Sequence, residues 1–566
     1  MQITRRNVPD AVHALTAAGV SPLLARIYAA RGVTDVAELD CSLKRLPQAS
    51  LLKGIDAAAQ RLADAIIAGE RMLIVADYDA DGATACAVGT RGLRALGAHV
   101  DFLVPNRFEF GYGLTPEIVA LAAVREPRLL ITVDNGIASV DGVAAARQRV
   151  IDVVITDHHL PGAGLPATPW IINPNQPGCA FPSKHLAGVG VMFYVLAAVR
   201  AKLMARGVFG EAGAPRLAQL LDLVALGTIA DVVRLDHVNR VLVDNGLRRI
   251  RSGRMQPGLR ALLAVAGRDP ARVRASDLAF AAAPRLNAAG RMADMSLGIA
   301  CLLADDDATA MRLAGELDRL NRDRRTVEAD MQQQALDDLG AIDAGNAYTV
   351  CLYRPDWHPG VIGIIASRLK EGLHRPAIVF AKGPDGLLRG SGRTIAGLHL
   401  RDAIDCVAKR LPTAIVRYGG HAFAAGLTIN EPDLAAFAAA FEDVAREWLS
   451  PAALAQITET DGELAIAEMD PAWVEELGQA VWGSGFPAPC FDMEFVVRDQ
   501  RLVGNRHRRL ILQHGRSTIE AIVFEQETPL PSRIHAAFRP EVDEYEGLRR
   551  LHLVLERWTA PATAAA

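Results

Sequence analysis

The chain has 566 residues, half of them hydrophobic, and a net charge of −4, enough for roughly three or four domains. The mild acidity excludes a general electrostatic affinity for nucleic acid and leaves any such affinity to local basic patches. No uncharged apolar run reaches the roughly 18 residues of a membrane span, and the seven scattered cysteines, none in a CxxC pair, exclude a disulfide framework or a zinc ribbon.

The opening, "MQITRRNVPD", is charged and lacks an apolar core, so no export signal is expected and the expected location is the cytoplasm. Residues 1–45 read as an N-terminal helical segment. From about 46 to 250, short apolar runs alternate with alanine-rich helical stretches: "RMLIVADYD", "HVDFLVPNR", "RLLITVDNG" and "IDVVITDHH" each end a run. This rhythm predicts an α/β fold, a parallel sheet with helices on both faces. The stretch 305–340 suits one long, charged helix whose Arg319, Arg322, Arg324 and Arg325 alternate with acids, a pattern that i,i+4 pairing explains. A second α/β unit follows from about 347 to 450, with "AYTVCLYR" and "PAIVFA" as strands and "GVIGIIASRLKEG" as a helix. From about 458, "MEFVVRD", "RRLILQH", "TIEAIVF", "RIHAAFRP" and "RRLHLVLERW" are short, evenly spaced and β-like, which predicts a small barrel or sandwich.

In parallel sheets, sites form beyond the carboxyl ends of the strands. The charged residues stand there: Asp77, Asp79 and Asp81 after one strand, Asp134 after another, and Asp157, His158 and His159 after a third. Asp231 follows the apolar segment of "LGTIADVVRL" and is expected at the same rim. Any one of these clusters alone reads as a turn or a cap. Gathered on one sheet they repel, and divalent cations would offset that repulsion. Carboxylates with histidine suit Mn²⁺ or Zn²⁺ better than a pure oxygen site, and a pair of ions sharing one carboxylate suits phosphoester hydrolysis.

Together "DYDADG", "TVDNG", "TDHH" and "GTIADV" resemble the four motifs of the DHH phosphoesterase superfamily. "PRLNAAGR" (284–291), "HPGVIGIIASRL" (358–369), "SGR" (391–393) and "GGHAFAAG" (419–426) extend the resemblance to the RecJ single-strand-specific exonucleases and their DHHA1 domain. The resemblance implies a DHH catalytic domain at 46–304, a connecting helix at 305–342, a DHHA1 domain at 343–452 and an OB fold at 453–560. It implies Asp79, Asp81, Asp134, His158 and Asp231 as ligands of two Mn²⁺ or Mg²⁺ ions, with Asp134 bridging. Asp77 is either a further ligand or a hydrogen-bond acceptor behind them. His159 would lie beside the scissile phosphate, and Asp157 would orient a neighbouring histidine.

Arginine suits phosphate by its forked donors. Arg107 follows a strand near the same crevice, and Phe108, Phe110 and Tyr112 beside it are either base-stacking residues or loop anchors. Arg285 and Arg291 flank "LNAAG", whose Asn287 and small residues would let backbone N–H groups approach a phosphate. Ser391, Arg393 and His421 bracket further glycines, and Arg506 and Arg508 in "GNRHRRL" would line a groove of the barrel. The run Arg248 to Arg254 reads as a basic surface. The implied activity is a 5′→3′ exonuclease on single-stranded DNA, serving repair and recombination. The family's partners are single-stranded DNA-binding protein and a RecQ-type helicase, and a monomer is expected. Rival readings are another DHH phosphoesterase acting on short oligoribonucleotides or cyclic dinucleotides, and a non-catalytic single-strand-binding scaffold.

Overall fold

A computed structural model describes residues 2–105, 113–162, 164–210, 213–340, 347–383, 385–464, 466, 469–504, 506–545 and 548–560. Arg107, Phe108, Phe110 and Tyr112 lie outside the described residues. The chain divides into two compact units, one formed by Arg5–Asn321 with Asp461–Glu556, the other by Met1–Thr4, Arg322–Thr460 and Arg557–Ala566. After the short strand β1 (Gln2–Arg5), the first unit holds β2 (Arg71–Ala76), β3 (His99–Leu103), β4 (Leu129–Val133), β5 (Asp152–Thr156) and β6 (Ile171–Ile172). These strands lie in the order β3-β2-β4-β5-β6, all parallel.

Side-chain alternation builds this sheet. Met72, Ile74 and Ala76 enter the core on one face, shared with the helices Ile55–Ile67, Ala80–Ala95 and Gly188–Ala205. Leu73 and Val75 enter the other core, with Ile118, Val119 and Ala146 of the opposite helices. Burial of both faces accounts for the near-continuous apolar runs of β2, β4 and β5. The chain runs outward from β2 in both directions, to β3 on one side and to β4 on the other. That reversal opens a crevice at the carboxyl ends of β2 and β4, the place where α/β sheets bind ligands. The helix Gly188–Ala205 is long and apolar enough to cross a membrane; here it packs against the Ala80 and Ile55 helices as a core element.

Two N-terminal helices, Ala11–Ala17 and Pro22–Ala29, precede this sheet. Arg31, just after them, is buried in a two-pronged ion pair with Asp461, at 2.8 and 2.9 Å, and lies over the Trp482 ring. This pair ties the start of the chain to the segment leading into the barrel.

In the second unit, β7 (Val350–Tyr353), β8 (Ala377–Lys382), β9 (Leu388–Arg393), β10 (Ile415–Gly420) and β11 (Ala424–Ile429) form a mixed sheet in the order β10-β11-β9-β8-β7. The helices Ile362–Leu373, Leu400–Arg410 and Leu434–Trp448 accompany it. In the same unit β12 (Ile457–Thr460) pairs with β1. The charged stretch after 305 is a helix, Asp307–Gly340, which begins in the first unit and ends in the second. Its ion pairs Arg312–Glu316 and Arg324–Glu328 are of the i,i+4 kind.

The C-terminal strands β13 (Phe491–Val503), β14 (His507–His514), β15 (Ser517–Val523), β16 (Arg533–Tyr545) and β17 (Leu548–Thr559) close into a barrel, β13-β14-β15-β17-β16. Closure pairs β15 with β17 in parallel, and Phe491, Phe495 and Phe538 fill the interior. Closure leaves no free sheet edge.

Candidate metal centre

The acids and histidines converge because each rides on a strand end or a helix terminus aimed at the same crevice. Asp77 extends β2, its N–H donating to Val133 O. Asp79 caps the helix Ala80–Ala95, its Oδ1 accepting from Asp81 N at 2.9 Å and Gly82 N at 3.0 Å. Asp81, in the first turn of that helix, is fully buried. Its two oxygens accept the Gly188 and Val189 N–H groups, at 2.7 and 3.0 Å, so the N-terminus of the Gly188–Ala205 helix faces the carboxylate end-on. Asp134 follows β4 with φ +62, a left-handed conformation uncommon outside glycine, and this turns its carboxylate back into the crevice. A β-carbon on Gly188 would lie 2.5 Å from Asp134 Oδ1, so glycine is what lets the helix come so close.

His158 joins the acids. Its Nε2 is 3.1 Å from Asp134 Oδ1 and 3.4 Å from Asp231 Oδ2. Three overlapping groups bring ligand atoms within 4.8 Å of one another: Asp81, His158 and Asp231; Asp77, Asp79 and Asp134; and Asp134, His158 and His159. Asp134 and His158 each belong to two groups; the two oxygens of the Asp134 carboxylate can serve two neighbouring cations, whereas the single Nε2 of His158 can serve one. Asp231 arrives differently from the others. Its apolar lead-in is the helix Leu221–Ala230, and Asp231 is the C-cap, not a strand end. A buried apolar run of that length does not distinguish strand from helix.

Asp157 is committed within the protein. Its oxygens accept from Ile137 N, His158 N and His159 N, and its Oδ1 lies 2.8 Å from His159 Nδ1. That contact places the Nδ1 proton against Asp157 and leaves His159 Nε2 for a ligand or substrate. Asn173 and Asn175 hold the backbone carbonyls of His159 and His158, and Asn135 holds those of Val75 and Val133. Sequence reasoning missed Gly188, Val189 and these asparagines. "AGVGV", "INPNQ" and, for Asn135, the "TVDNG" motif carry the signal, small residues and short amides at turns.

Burial and mutual repulsion set the charges. Burial first, then Asp79, pushes Asp81 up to about 7. Burial, then Asp81 and Asp79, pushes Asp134 and Asp231 well above the ordinary carboxylate range. For Asp157, burial is the largest influence and acts upward, yet the His159 hydrogen bond and the imidazole charges together bring it below the ordinary value. His159 is the converse: burial acts downward, and Asp157 outweighs it to hold the imidazole at about 8. Asp231 Oδ2 is buried and accepts no hydrogen bond. A crowded carboxylate–imidazole set with an unsatisfied acceptor is one that a hard or borderline divalent cation fits.

The expected substrate contacts vary in setting. Arg285 is held by Asp318, its Nε at 2.9 Å and a terminal nitrogen at 2.8 Å. Asn287 accepts the Ala80 N–H at 2.9 Å and so braces the Asp79 turn. The segment that carries "LNAAG" is the helix Ala283–Met292. A β-carbon on Gly290 would lie 2.0 Å from Tyr78 O, so the small residues serve close packing, not exposure of backbone N–H groups. Arg291 is half-buried on the same helix. Ser391 and Arg393 lie in β9, and Arg393 donates to the Ser391 hydroxyl and to Gly392 O; burial pushes its guanidinium down. A β-carbon on Gly363 would lie 2.9 Å from Ser391 Oγ and 3.3 Å from an Arg393 terminal nitrogen, so the first turn of the Ile362 helix faces both. His421 sits at the exposed β10–β11 turn. Arg506 is exposed, whereas Arg508 is buried and bonded to Glu527 O. Arg508 shares strand parity with the interior residues Leu510 and Leu512, which turns it away from a groove. In the basic run, Arg248 pairs with Asp244, and Arg251 donates to Val273 O and Gln479 O.

Family models agree with this architecture. The DHH family N-terminal domain matches residues 71–228, the DHHA1 domain residues 345–447 and the RecJ OB domain residues 460–557. The chain is 48% identical to the single-stranded-DNA-specific exonuclease RecJ of Dickeya dadantii, over 94% of this chain and 95% of the relative. It is 45% identical to that of Escherichia coli, over 98% of each. The crystal structure of RecJ in complex with Mn²⁺ from Thermus thermophilus superimposes with a TM-score of 0.83 at 30% identity, over 99% of this chain and 80% of that one. Its complex with Mg²⁺ gives 0.77 at 29% identity, over 99% and 78%. The chain belongs to the RecJ family of single-stranded-DNA-specific exonucleases.

Proposed function

We propose that the chain is a single-stranded-DNA-specific exonuclease that works 5′→3′ and releases 5′-mononucleotides. The observation that carries this reading is the convergence of Asp81, Asp134, His158 and Asp231 on shared ligand positions in a chain 48% identical to a RecJ exonuclease. Asp79, Asp81, Asp134, His158 and Asp231 would hold two divalent ions, Mn²⁺ or Mg²⁺, with Asp134 as the shared carboxylate. When bound, the ions activate the attacking water and neutralise the phosphoryl oxygens. Asp77 supports the same cluster.

The chain's own residues do the rest. His159, kept protonated on Nδ1 by Asp157, directs Nε2 at the scissile phosphate and donates to a phosphoryl oxygen or to the leaving 3′-oxygen. The first turn of the Ile362 helix, with Ser391 and Arg393 beside it, receives the terminal 5′-phosphate, as helix N-termini receive anions. Arg107, Arg285, Arg291 and His421 contribute to the same strand, and Arg506 on the barrel holds its backbone further along. Asn287 positions the Asp79 turn. The enzyme acts in repair and recombination as a cytoplasmic monomer, supplied with strands by a RecQ-type helicase and by single-stranded DNA-binding protein.

Digestion of end-labelled single and double strands tests this reading, with either end blocked and with Mn²⁺, Mg²⁺ or chelator present. The expected result is metal-dependent release of mononucleotides from single strands with a free 5′ end. Cleavage of dinucleotides alone, with long strands untouched, would show a different phosphoesterase.

A further inference from the structure

Behind the metal cluster, still within the first unit, lies a cavity of about 490 Å³. One wall is the turn around Asp231, and the opposite wall comes from the barrel side, including Trp482 and Arg539. Ala230 and Val232 line the cavity, while the carboxylate of Asp231 between them faces His158. The cavity and the metal cluster are therefore two sides of one turn. Val232 takes φ +60, a conformation that a β-branched residue adopts only under constraint, and it is 68% exposed. Phe280, on the cavity rim, is 82% exposed. It sits in the π-helical turn Leu278–Ala282, which runs straight into the helix whose Asn287 braces the Asp79 turn. Such turns concentrate at functional sites.

Neither the aromatic ring nor the valine contributes to a core. Two cations, Arg274 and Arg539, also line the cavity, against one acid, Glu541. Arg539 spends one terminal nitrogen on Glu556, and its buried Nε has no hydrogen-bond partner. An exposed aromatic face, an apolar lip and guanidinium groups, one turn away from the acids and histidines of the metal cluster, make a surface for nucleotides: bases stack on the ring and phosphates meet the cations.

We infer that Phe280 is a stacking platform for a base of the single strand a few nucleotides 3′ to the scissile phosphate, with Val232 as the lip over which the strand leaves the metal centre. This inference rests on the exonuclease reading. It makes Phe280 a positioning residue whose contribution is to grip unstacked bases, which a duplex cannot offer.

The test is an abasic scan. A single abasic site is moved stepwise from the 5′ end of a long single strand, and KM is measured for the wild type, Phe280→Ala and Phe280→Trp. The wild type should show one position at which the missing base raises KM by roughly five- to tenfold. That position-specific penalty should vanish in Phe280→Ala, whose KM is already raised on the intact strand, and persist in Phe280→Trp. A flat scan in the wild type, or an unchanged penalty in Phe280→Ala, overturns the platform. Failure of the wild type to digest single strands at all overturns the exonuclease reading and this inference with it.

Discussion

Gly188 donates its backbone N–H to Asp81 Oδ2 at 2.7 Å, and a β-carbon at that residue would stand 2.5 Å from Asp134 Oδ1. One residue without a side chain thus fixes one carboxylate and makes room for another. The helix behind it presents its positive end to a crowd of negative groups, which partly compensates them before any cation arrives.

Gly188→Ala should therefore damage the metal centre more than the fold. The added methyl displaces Asp134 or the helix, at a cost of about 1–3 kcal/mol. Metal affinity should fall by roughly 10- to 100-fold, as for changes to groups that orient ligands. Calorimetric titration with Mn²⁺ alongside thermal unfolding checks both. Wild-type affinity in this variant would mean that the helix has slack that its contacts do not suggest.

The metal-free protein should lose stability as pH rises. Asp81 titrates at about 7 when folded, against 3.8 ordinarily. A carboxyl raised on folding stabilises the fold below its unfolded value and loses that contribution as pH climbs through the folded one. Asp134 and Asp231 act in the same sense. Asp157, lowered on folding, acts oppositely, stabilising above its unfolded value. His159, raised to about 8, acts in the same sense as the three acids, and the opposing effect of Asp157 falls below about pH 4, so the melting temperature without metal should fall between about pH 4 and about pH 8, and the increment from Mn²⁺ should grow over the same window. A metal-free melting temperature that rises across this range would contradict the electrostatic description.

His159 should titrate near 8 in the metal-free protein, because Asp157 outweighs its burial. In Asp157→Asn only burial and the more distant acids remain, and the midpoint should drop toward or below the ordinary imidazole value. Two-dimensional NMR of the imidazole resonances reads the change directly. An unmoved midpoint would show that Asp157 does not govern this ring.

Two arginines near one another in sequence should behave differently. Arg508 is buried and bonded to Glu527 O, so Arg508→Ala should destabilise the protein by about 1–3 kcal/mol. Arg506 is exposed; Arg506→Ala should leave stability within about 0.5 kcal/mol, weaken single-strand binding, and reduce the slope of log affinity against log salt by about 0.7. Urea unfolding and binding at several salt concentrations separate the two.

Much of this molecule was legible in its sequence because period and position carry physics. The doubly buried strands β2, β4 and β5 read as continuous apolar runs, and the rule that sites lie beyond strand ends located Asp79, Asp81, Asp134 and His158. Asp231 was placed at the same rim, but the element that carries it, a helix and not a strand, was not readable, since a short buried run ending in an acid fits either. The burial of Arg508 was readable from its parity with Leu510 and Leu512, and was overlooked because the run of basic letters drew attention to charge. The commitment of Arg285 to Asp318 was not readable, because it depends on how two helices pack. Nor was the approach of Gly188 to Asp81, which joins residues 107 positions apart.

The proposed activity depends on residues from separate strand and helix ends forming one site for two cations that share the Asp134 carboxylate. Mn²⁺ titration followed by electron paramagnetic resonance tests it most directly, with the wild type compared with Asp134→Ala. Two Mn²⁺ per chain with a coupled spectrum are expected in the wild type, and loss of the coupling in Asp134→Ala. A single uncoupled Mn²⁺ in the wild type, or a coupled pair that survives Asp134→Ala, would contradict it.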